Sequence, residues 1–430
     1  MPTNNLKSSD PEVDKIIASE LARMRRGVEL IPSENVVSPA VLEALGSVMT
    51  NKYSEGYPKK RYYGGNQHID EVELLAIDRA KKLFGAEHVN VQPYSGSPAN
   101  MAALFAMAEP GDTVMGLDLG AGGHLTHGSP VNFSGKLFKI VPYNVNQKTQ
   151  LLDMDEIKAM AKKHKPKVII SGLTAYPRTL DFKAFQKIAD EVGAYHMSDI
   201  AHIAGLCATG VHESPVPVAD VVTTTTHKTL RGPRGGMILS KENDRLRPDD
   251  KKNLAQKIDF EVFPGIQGGP HDHATAAKAV AFGEALLPAY KTYCQQVVKN
   301  AKRLADELKN NDLSLVTNGT DNHLLLIDLT KVNNGDLTGK GKEVQDALEA
   351  AEITVNRNTI PYEPSSPFKP SGVRLGTPAV TTRGMAEDDM SVIAEAIAMV
   401  VKDHKNETII NSAKKLILEL TKKYPLYPEL

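Results

Sequence analysis

This chain predicts an α/β fold built on a mainly parallel sheet, followed by a smaller α+β unit. Three observations carry that prediction. From Val89 to Thr225, short β-branched runs alternate with helical segments, the pattern of a sheet covered on both faces. A glycine- and proline-rich tract, Pro264-Gly265-Ile266-Gln267-Gly268-Gly269-Pro270, closes that pattern. Beyond it come long helices and isolated strands. At 430 residues the chain can bury large cores in two or three domains. The expected division is a helical arm over 1–26, a larger domain over 27–287 and a smaller one over 288–430, with a boundary near Pro288.

The elements follow in order. Asp10-Pro11-Glu12 is a helix start, with Asp10 as cap and Pro11 in the first turn; Gly27 stops the helix after Arg26. Leu30 to Asn35 reads as a loop, and Ser38-Pro39 opens a short helix. Asn51 to Asn66 holds Tyr53, Tyr57, Tyr62 and Tyr63 without helical or strand period, which suits polar recognition on a loop. Ile69, Val72, Ala76 and Leu83 share one helical face, capped by Gly85. Strands are expected at Val89–Gln92, Thr113–Leu117, Leu137–Tyr143, Lys167–Ser171, Ala194–Asp199 and Val221–Thr225. Helices are expected from Ser97-Pro98 to Ala108, at Asp155–Lys163 and at Asp181–Val192. A long helical stretch from His273 past Asn300 breaks at Pro288. After it, Leu324–Leu329, Ile353–Asn356 and Val373–Leu375 read as strands, and Val344–Ala351, Glu387–Val401 and Ile409–Leu420 as helices.

Composition removes several classes of function. Charged residues make up 24% and apolar residues 41%, an ordinary globular mixture. A net charge of −1 lacks the basic excess of a nucleic-acid binder. The two cysteines, Cys207 and Cys294, allow no disulfide framework. Met1 to Asp10 is polar and shows no signal peptide, and no apolar run is long enough to span a membrane. A reducing cytoplasm is the expected setting.

The chemistry concentrates in Val-Val-Thr-Thr-Thr-Thr-His-Lys-Thr-Leu-Arg-Gly-Pro-Arg-Gly-Gly, residues 221–236. Lys228 sits between a β-branched run and a glycine-rich turn, with Arg231 and Arg234 nearby. Neighbouring cations disfavour an ammonium ion, and a neutral amine attacks carbonyls. Ser95-Gly96-Ser97 at a helix start offers backbone N–H groups and hydroxyls to a phosphate. Asp199 ends its strand, where a buried carboxylate needs a cationic partner such as a protonated pyridine nitrogen. Ligands of parallel sheets bind beyond the carboxyl ends of strands, which brings Ser95, Thr174, Asp199 and Lys228 together. Phosphate cradle, strand-end carboxylate and poised lysine are the three anchors that pyridoxal phosphate requires. No Walker A loop or G-x-G-x-x-G follows a strand, so ATP and dinucleotides are poorly supported. His124 with His127, and His271 with His273, fall short of the three protein ligands of a catalytic zinc, and no metal is expected. Arg374, alternating with apolar neighbours, suits either an amino-acid carboxylate or an internal salt bridge.

Seven segments carry a resemblance. They are Leu-Ile-Pro-Ser-Glu-Asn, Tyr-Ser-Glu-Gly-Tyr-Pro, Arg-Tyr-Tyr-Gly-Gly, Gly-Gly-His-Leu-Thr-His-Gly, Asp-Ile-Ala-His-Ile-Ala-Gly-Leu, the threonine run through Lys228, and Ser-Pro-Phe-x-x-Ser-Gly-Val-Arg-Leu-Gly-Thr-Pro-Ala. Spread from Glu29 to Gly384, they resemble the serine hydroxymethyltransferase family. The resemblance implies an aspartate-aminotransferase-like fold and a homodimer with shared active sites, or a tetramer. It implies reversible transfer of a one-carbon unit from serine to tetrahydrofolate or a related reduced pterin, giving glycine. A threonine-type aldolase and an α-methylserine hydroxymethyltransferase remain alternatives.

By the same resemblance, Lys228 holds pyridoxal phosphate covalently, Asp199 pairs with its ring nitrogen and His124 stacks on its face. Ser95, Gly96 and Ser97 cradle the phosphate, with Gly268 and Gly269 lent by a second subunit. Thr174 and His202 sit near the ring hydroxyl, and Thr225 and His227 complete the cofactor contacts. Ser33 and Arg374, with a second subunit's Tyr63, grip the substrate carboxylate. Glu55, likewise lent, is the acid/base beside Tyr53. Leu119, Gly123, Leu125, Asn358 and Ser366, Pro367 and Phe368 would meet the pterin. The chain departs from the family pattern at Pro32, Tyr94, Pro98, Gly120-Ala121 and Thr174. Pro98 removes a backbone donor beside the cradle.

Overall fold

The structure is a computed structural model that describes Asn5–Glu429. The first residues of the polar stretch Met1–Asp10 lie outside that range. The chain groups into two compact units, one from Val37 to Gln295 and one formed by the residues up to Val36 together with those from Gln296 onward. Among the described residues no helix is long and apolar enough to cross a membrane.

The unit Val37–Gln295 is built on a seven-stranded sheet. Its strands are β1 (His88–Asn90), β2 (Thr113–Leu117), β3 (Lys139–Tyr143), β4 (Val168–Gly172), β5 (Tyr195–Asp199), β6 (Val221–Thr225) and β7 (Gly236–Ser240). Their order across the sheet is β1-β7-β6-β5-β4-β2-β3. Strands β2 to β6 run parallel, and β7 runs antiparallel to both β6 and β1. Strands β4, β5, β6 and β7 are buried at every position, as a sheet covered on both faces demands. The apolar core includes Ala99, Leu104, Val168, Met197, Val221 and Ile238. Three strand ends matter most: Gly172 pairs with Asp199, and Asp199 with Thr223. The registers of β7 point β1 the same way as β6, so Ser95, Thr174, Asp199 and Lys228 all follow strand ends on one side of the sheet.

Local chemistry starts and stops the helices. Asp10 accepts from Val13 N at the head of Pro11–Arg26, and Gly27 ends it. Gly85 and Gly193 take left-handed conformations, closing Gln67–Phe84 and Phe182–Val192. Two expectations need correction. The alternation of strand and helix fails at β7, which follows β6 through the Lys228 loop with no helix between. Its five apolar-to-small residues follow Gly235, begin with Gly236 and carry no period of their own. The run Ile353–Asn356 is two strands: Ile353–Thr354 pairs with Val28–Glu29, and Asn356–Asn358 joins a different sheet.

The second unit contains that other sheet, in the order β8 (Leu324–Asp328), β10 (Gly372–Gly376), β9 (Asn356–Asn358), antiparallel throughout. Leu325, Ile327, Val373 and Leu375 pack there with Ile393, Ile397 and Ile417 from the helices Glu387–Lys402 and Glu407–Lys422. Arg383 ties its ends together: the guanidinium donates to the carbonyls of Met24, Arg25, Gly27, Thr421 and Tyr424 at 2.6–3.3 Å. Both the first long helix and the last would otherwise leave these terminal carbonyls open.

Candidate active site

The centre of the larger unit is Asp199 at the end of β5. Its Oδ2 accepts from His127 Nε2 at 3.0 Å and from Asn100 Nδ2 at 2.8 Å, and its Oδ1 accepts from Ala201 N at 3.0 Å. Burial by itself raises the pKa of such a carboxyl. The bond and charge of His127, the charge of His124 and the Asn100 amide outweigh burial and hold Asp199 far below the ordinary carboxylate range. The site therefore keeps an anion enclosed at a strand end.

Its neighbours form a closed circuit. Asn100 Nδ2 also donates to Thr126 Oγ1 at 2.7 Å, and Thr126 Oγ1 lies 2.7 Å from His124 Nδ1. The backbone N–H groups of Thr126 and His124 donate to His124 Nδ1 and His127 Nδ1, each at 3.2 Å. Both Nδ1 atoms thus accept from backbone N–H groups, which turns each Nε2 away from the loop backbone. The short helical turn Leu125–His127, capped by His124, places these groups. Gly122 and Gly123 allow it: a Cβ at Gly123 would lie 2.0 Å from Leu117 O, and Gly122 has φ +105°. Gly122 O in turn accepts from Thr174 N at 2.7 Å, which fixes Thr174 beside this loop.

His124, His127 and Asp199 are also the one described group of three metal-ligating side chains, with their ligating atoms within 4.8 Å of one another. His127 and Asp199 already satisfy each other. His271 stacks on Tyr94 at 4.2 Å and on His273 at 5.7 Å.

The phosphate cradle expected at Ser95-Gly96-Ser97 is the start of the helix Gly96–Met107, with Ser95 in the cap position and its side chain unused for capping. The helix N-terminus presents backbone N–H groups, and Pro98 takes one away. A Cβ at Gly96 would sit 2.8 Å from Thr225 Cγ2, so the cradle lies directly against the end of β6.

Lys228 is buried in the turn between β6 and β7. Thr229 Oγ1 donates to His202 O at 2.8 Å, and Tyr290 Oη donates to Thr229 O at 2.8 Å. Arg231 adopts φ +57°, unusual for a side-chain-bearing residue, and its guanidinium covers the Tyr293 ring at 4.8 Å. Burial, then the charges of Lys228 and Arg234, push the His227 imidazole down to about 3, so it is neutral; its Nδ1 meets no partner among the described residues. A phosphate-bearing pyridine aldehyde fits this donor set: N–H groups at a helix start, an enclosed carboxylate and a buried amine, with an orphaned imidazole nitrogen on the residue before the lysine.

A second cluster stands in the same unit. Tyr53 Oη lies 3.1 Å from Glu55 Oε1, and the Tyr53 and Tyr63 rings meet edge to face at 5.0 Å. Gly268 and Gly269 face them: a Cβ there would lie 3.1 Å from Glu55 Oε1 and 3.2 Å from Tyr53 Cε2. The residues that the resemblance assigns to a second subunit's site thus form one group of their own.

In the smaller unit, Arg374 on β10 is buried, its Nε donates to Asn356 Oδ1 at 3.1 Å, and burial lowers its pKa to about 10. Gly376 N donates to Leu30 O at 2.7 Å, and a Cβ at Gly376 would lie 2.4 Å from Pro32 Cβ. The loop bearing Ser33 therefore runs against the strand bearing Arg374. Asn358 pairs with Gly372 beside them. Ser366, Pro367 and Phe368 lie in a turn bridged from Ser366 to Lys369, and Phe368 is 92% exposed.

Reading the sequence missed Asn100, Gln92, Gln267 and Lys278. Gln267 and Lys278 bond the backbone of Val91–Tyr94, ahead of the cradle, and the Gln92 side chain donates to Gly56 O and Glu73 Oε1. Each is a polar residue among apolar neighbours, the one signal that could have marked them.

A parallel sheet with a carboxylate, a lysine and a helix start gathered at its strand ends defines the fold-type-I class of pyridoxal-phosphate enzymes. A model of the serine hydroxymethyltransferase family matches residues 6–397. The chain belongs to that family, whose members carry out pyridoxal-phosphate-dependent hydroxymethyl transfer.

Proposed function

We propose that this enzyme reversibly transfers the hydroxymethyl carbon of serine to tetrahydrofolate or a related reduced pterin, releasing glycine. The observation that carries the reading is the enclosed, ionised Asp199 joined through Asn100 and Thr126 to His124. When bound, pyridoxal phosphate supplies an electron sink that makes the Cα–Cβ bond of a β-hydroxy amino acid cleavable. Asp199 holds a proton on the ring nitrogen, and His127 and Asn100 keep that carboxylate ionised and aimed. His124 packs on the ring face, oriented by Thr126. Lys228 would hold the cofactor, and its amine would carry protons at the reacting centre. Thr174, His202, Thr225 and His227 complete the cofactor's surroundings.

Ser33 and Arg374 bind the substrate carboxylate; the planar fork of a guanidinium offers such an anion a two-pronged contact. The group Tyr53, Glu55, Tyr63, Gly268 and Gly269 serves the site of a second subunit in a homodimer, with Glu55 exchanging the proton of the serine hydroxyl. A cavity of about 280 Å³ lined by Leu117, Leu119, His124, Pro130, Ile140 and Pro142 supports a flat apolar-faced co-substrate beside His124. Gly123 and Leu125 flank it in sequence; Asn358, Ser366, Pro367 and Phe368 are assigned to the same pterin.

Purified holoenzyme given serine and tetrahydrofolate should form glycine and methylenetetrahydrofolate in equal amounts. Glycine formation that persists unchanged without pterin would assign the protein to the aldolases instead.

A further inference from the structure

Lys278 is 2% exposed, in the middle of the helix Asp272–Ala285 among Ala274, Ala276, Ala277, Ala279 and Ala281. Its Nζ donates to three main-chain carbonyls: Val91 at 2.5 Å, Pro93 at 3.1 Å and Gly236 at 2.9 Å. Among the described residues no carboxylate bonds it. Burying an ammonium group without an ion-pair partner is costly, and three good acceptors are what offset that cost. Burial pushes the amine down to about 7, opposed by the charge of Glu73; His271 also lies within electrostatic reach. Three acceptors call for three N–H donors, which only the ammonium form has.

The acceptors lie on two segments that the cofactor site needs side by side. Val91 and Pro93 lead into Ser95-Gly96-Ser97. Gly236 ends the Lys228 loop and begins β7, and its N–H donates back to Pro93 O at 3.0 Å. The two glycines here leave room for this meeting. A Cβ at Gly235 would lie 2.5 Å from Lys278 Cε, and one at Gly236 would lie 2.3 Å from Ser95 O. Gln267 braces the same stretch, donating to Gln92 O and accepting from Tyr94 N.

We propose that Lys278 is a positioning residue for the cofactor phosphate: bonded to Val91, Pro93 and Gly236, it sets the spacing between the helix start at Ser95–Ser97 and the end of the Lys228 loop. This rests on the pyridoxal phosphate reading above. Lys278 touches neither substrate nor cofactor and acts through main-chain carbonyls alone.

The test compares dissociation constants of the apoprotein for pyridoxal phosphate and for pyridoxal, which lacks the phosphate. Wild type should strongly prefer the phosphorylated form. In Lys278→Met the ratio of the two affinities should shrink by at least about tenfold, with pyridoxal binding little changed, since three charge-assisted bonds are lost. Lys278→Arg should recover part of the ratio. If Lys278→Met does not fold, Gly235→Ala, which crowds Cε without removing the amine, should shrink the ratio in the same direction. A ratio equal to wild type in the variants, or equal losses for both ligands, overturns the positioning role while leaving the proposed function standing. A wild-type protein that binds neither ligand overturns both.

Discussion

His127 donates its Nε2–H to Asp199 Oδ2 across 3.0 Å, between side chains that are 1% and 8% exposed. An ion of this kind is stable inside a sheet only while its hydrogen bonds are complete. Asp199→Asn keeps the shape and loses the charge. Cofactor affinity should fall and turnover should drop at least about a hundredfold, as when a preorganised charge is removed from an active site. The pH sign also follows. Because the folded carboxyl lies below its unfolded value of about 3.9, Asp199 contributes stability that is present above that pH and lost as pH falls toward the folded value. The melting temperature of the variant should therefore change less than that of wild type below about pH 4.

Lys228→Gln should fold and bind the cofactor without a covalent link. Reduction of wild-type holoenzyme with cyanoborohydride, followed by peptide mass spectrometry, should place the adduct on Lys228. The same treatment of the variant should leave no adduct, and turnover should fall by about a thousandfold or more when the nucleophile is missing. An adduct on another lysine would refute the assignment.

The grouping of Tyr53, Glu55 and Tyr63 with Gly268 and Gly269 predicts complementation. Lys228→Gln and Glu55→Gln should each be nearly inactive. After mixing and subunit exchange, half the dimers become hybrids with one intact site, so about a quarter of wild-type activity should return. No recovery despite proven exchange would place Glu55 in the same site as its own Lys228.

Arg383 spends all its N–H groups on carbonyls at the ends of helices. Arg383→Met should lower the unfolding free energy by about 3 kcal/mol, because several buried acceptors lose charged donors together. Arg383→Lys should recover little, since an ammonium lacks the planar fork. Urea titration measures both.

Glu29 provides a test at the alkaline end. Burial, then the charge of Glu34, raise its carboxyl to about 8, although Ile31 N donates to Oε1 at 3.0 Å. A carboxyl raised in the folded state contributes stability that is fully present below its unfolded value of about 4.3 and lost as pH rises through the folded value. Glu29→Gln should flatten that decline, so that its melting temperature exceeds that of wild type above pH 8 but not near pH 5.

Most of this architecture was legible because its signals are local. Asp10-Pro11, Gly85 and Gly193 mark helix ends by their own chemistry, and β-branched runs mark β4 to β6. Ser95, Asp199 and Lys228 stood out because each follows a strand. Strand β7 was not legible, since its antiparallel place depends on β1 and β6 and not on its own five residues. Asn100 and Lys278 stayed hidden for a related reason. A polar side chain in an alanine-rich helix reads as solvent-facing until the carbonyls or carboxylate it meets are known, and those come from distant segments.

The interposed strand β7 has a consequence for how the protein is made. Ile238 pairs with Asn90, roughly 150 residues earlier, and Gly236 pairs with Thr225. The edge carrying Ser95 thus joins the rest of the sheet only after residue 240 has been synthesised. A cofactor bridging Ser95 and Lys228 would then stabilise a strand pairing closed between distant parts of the chain.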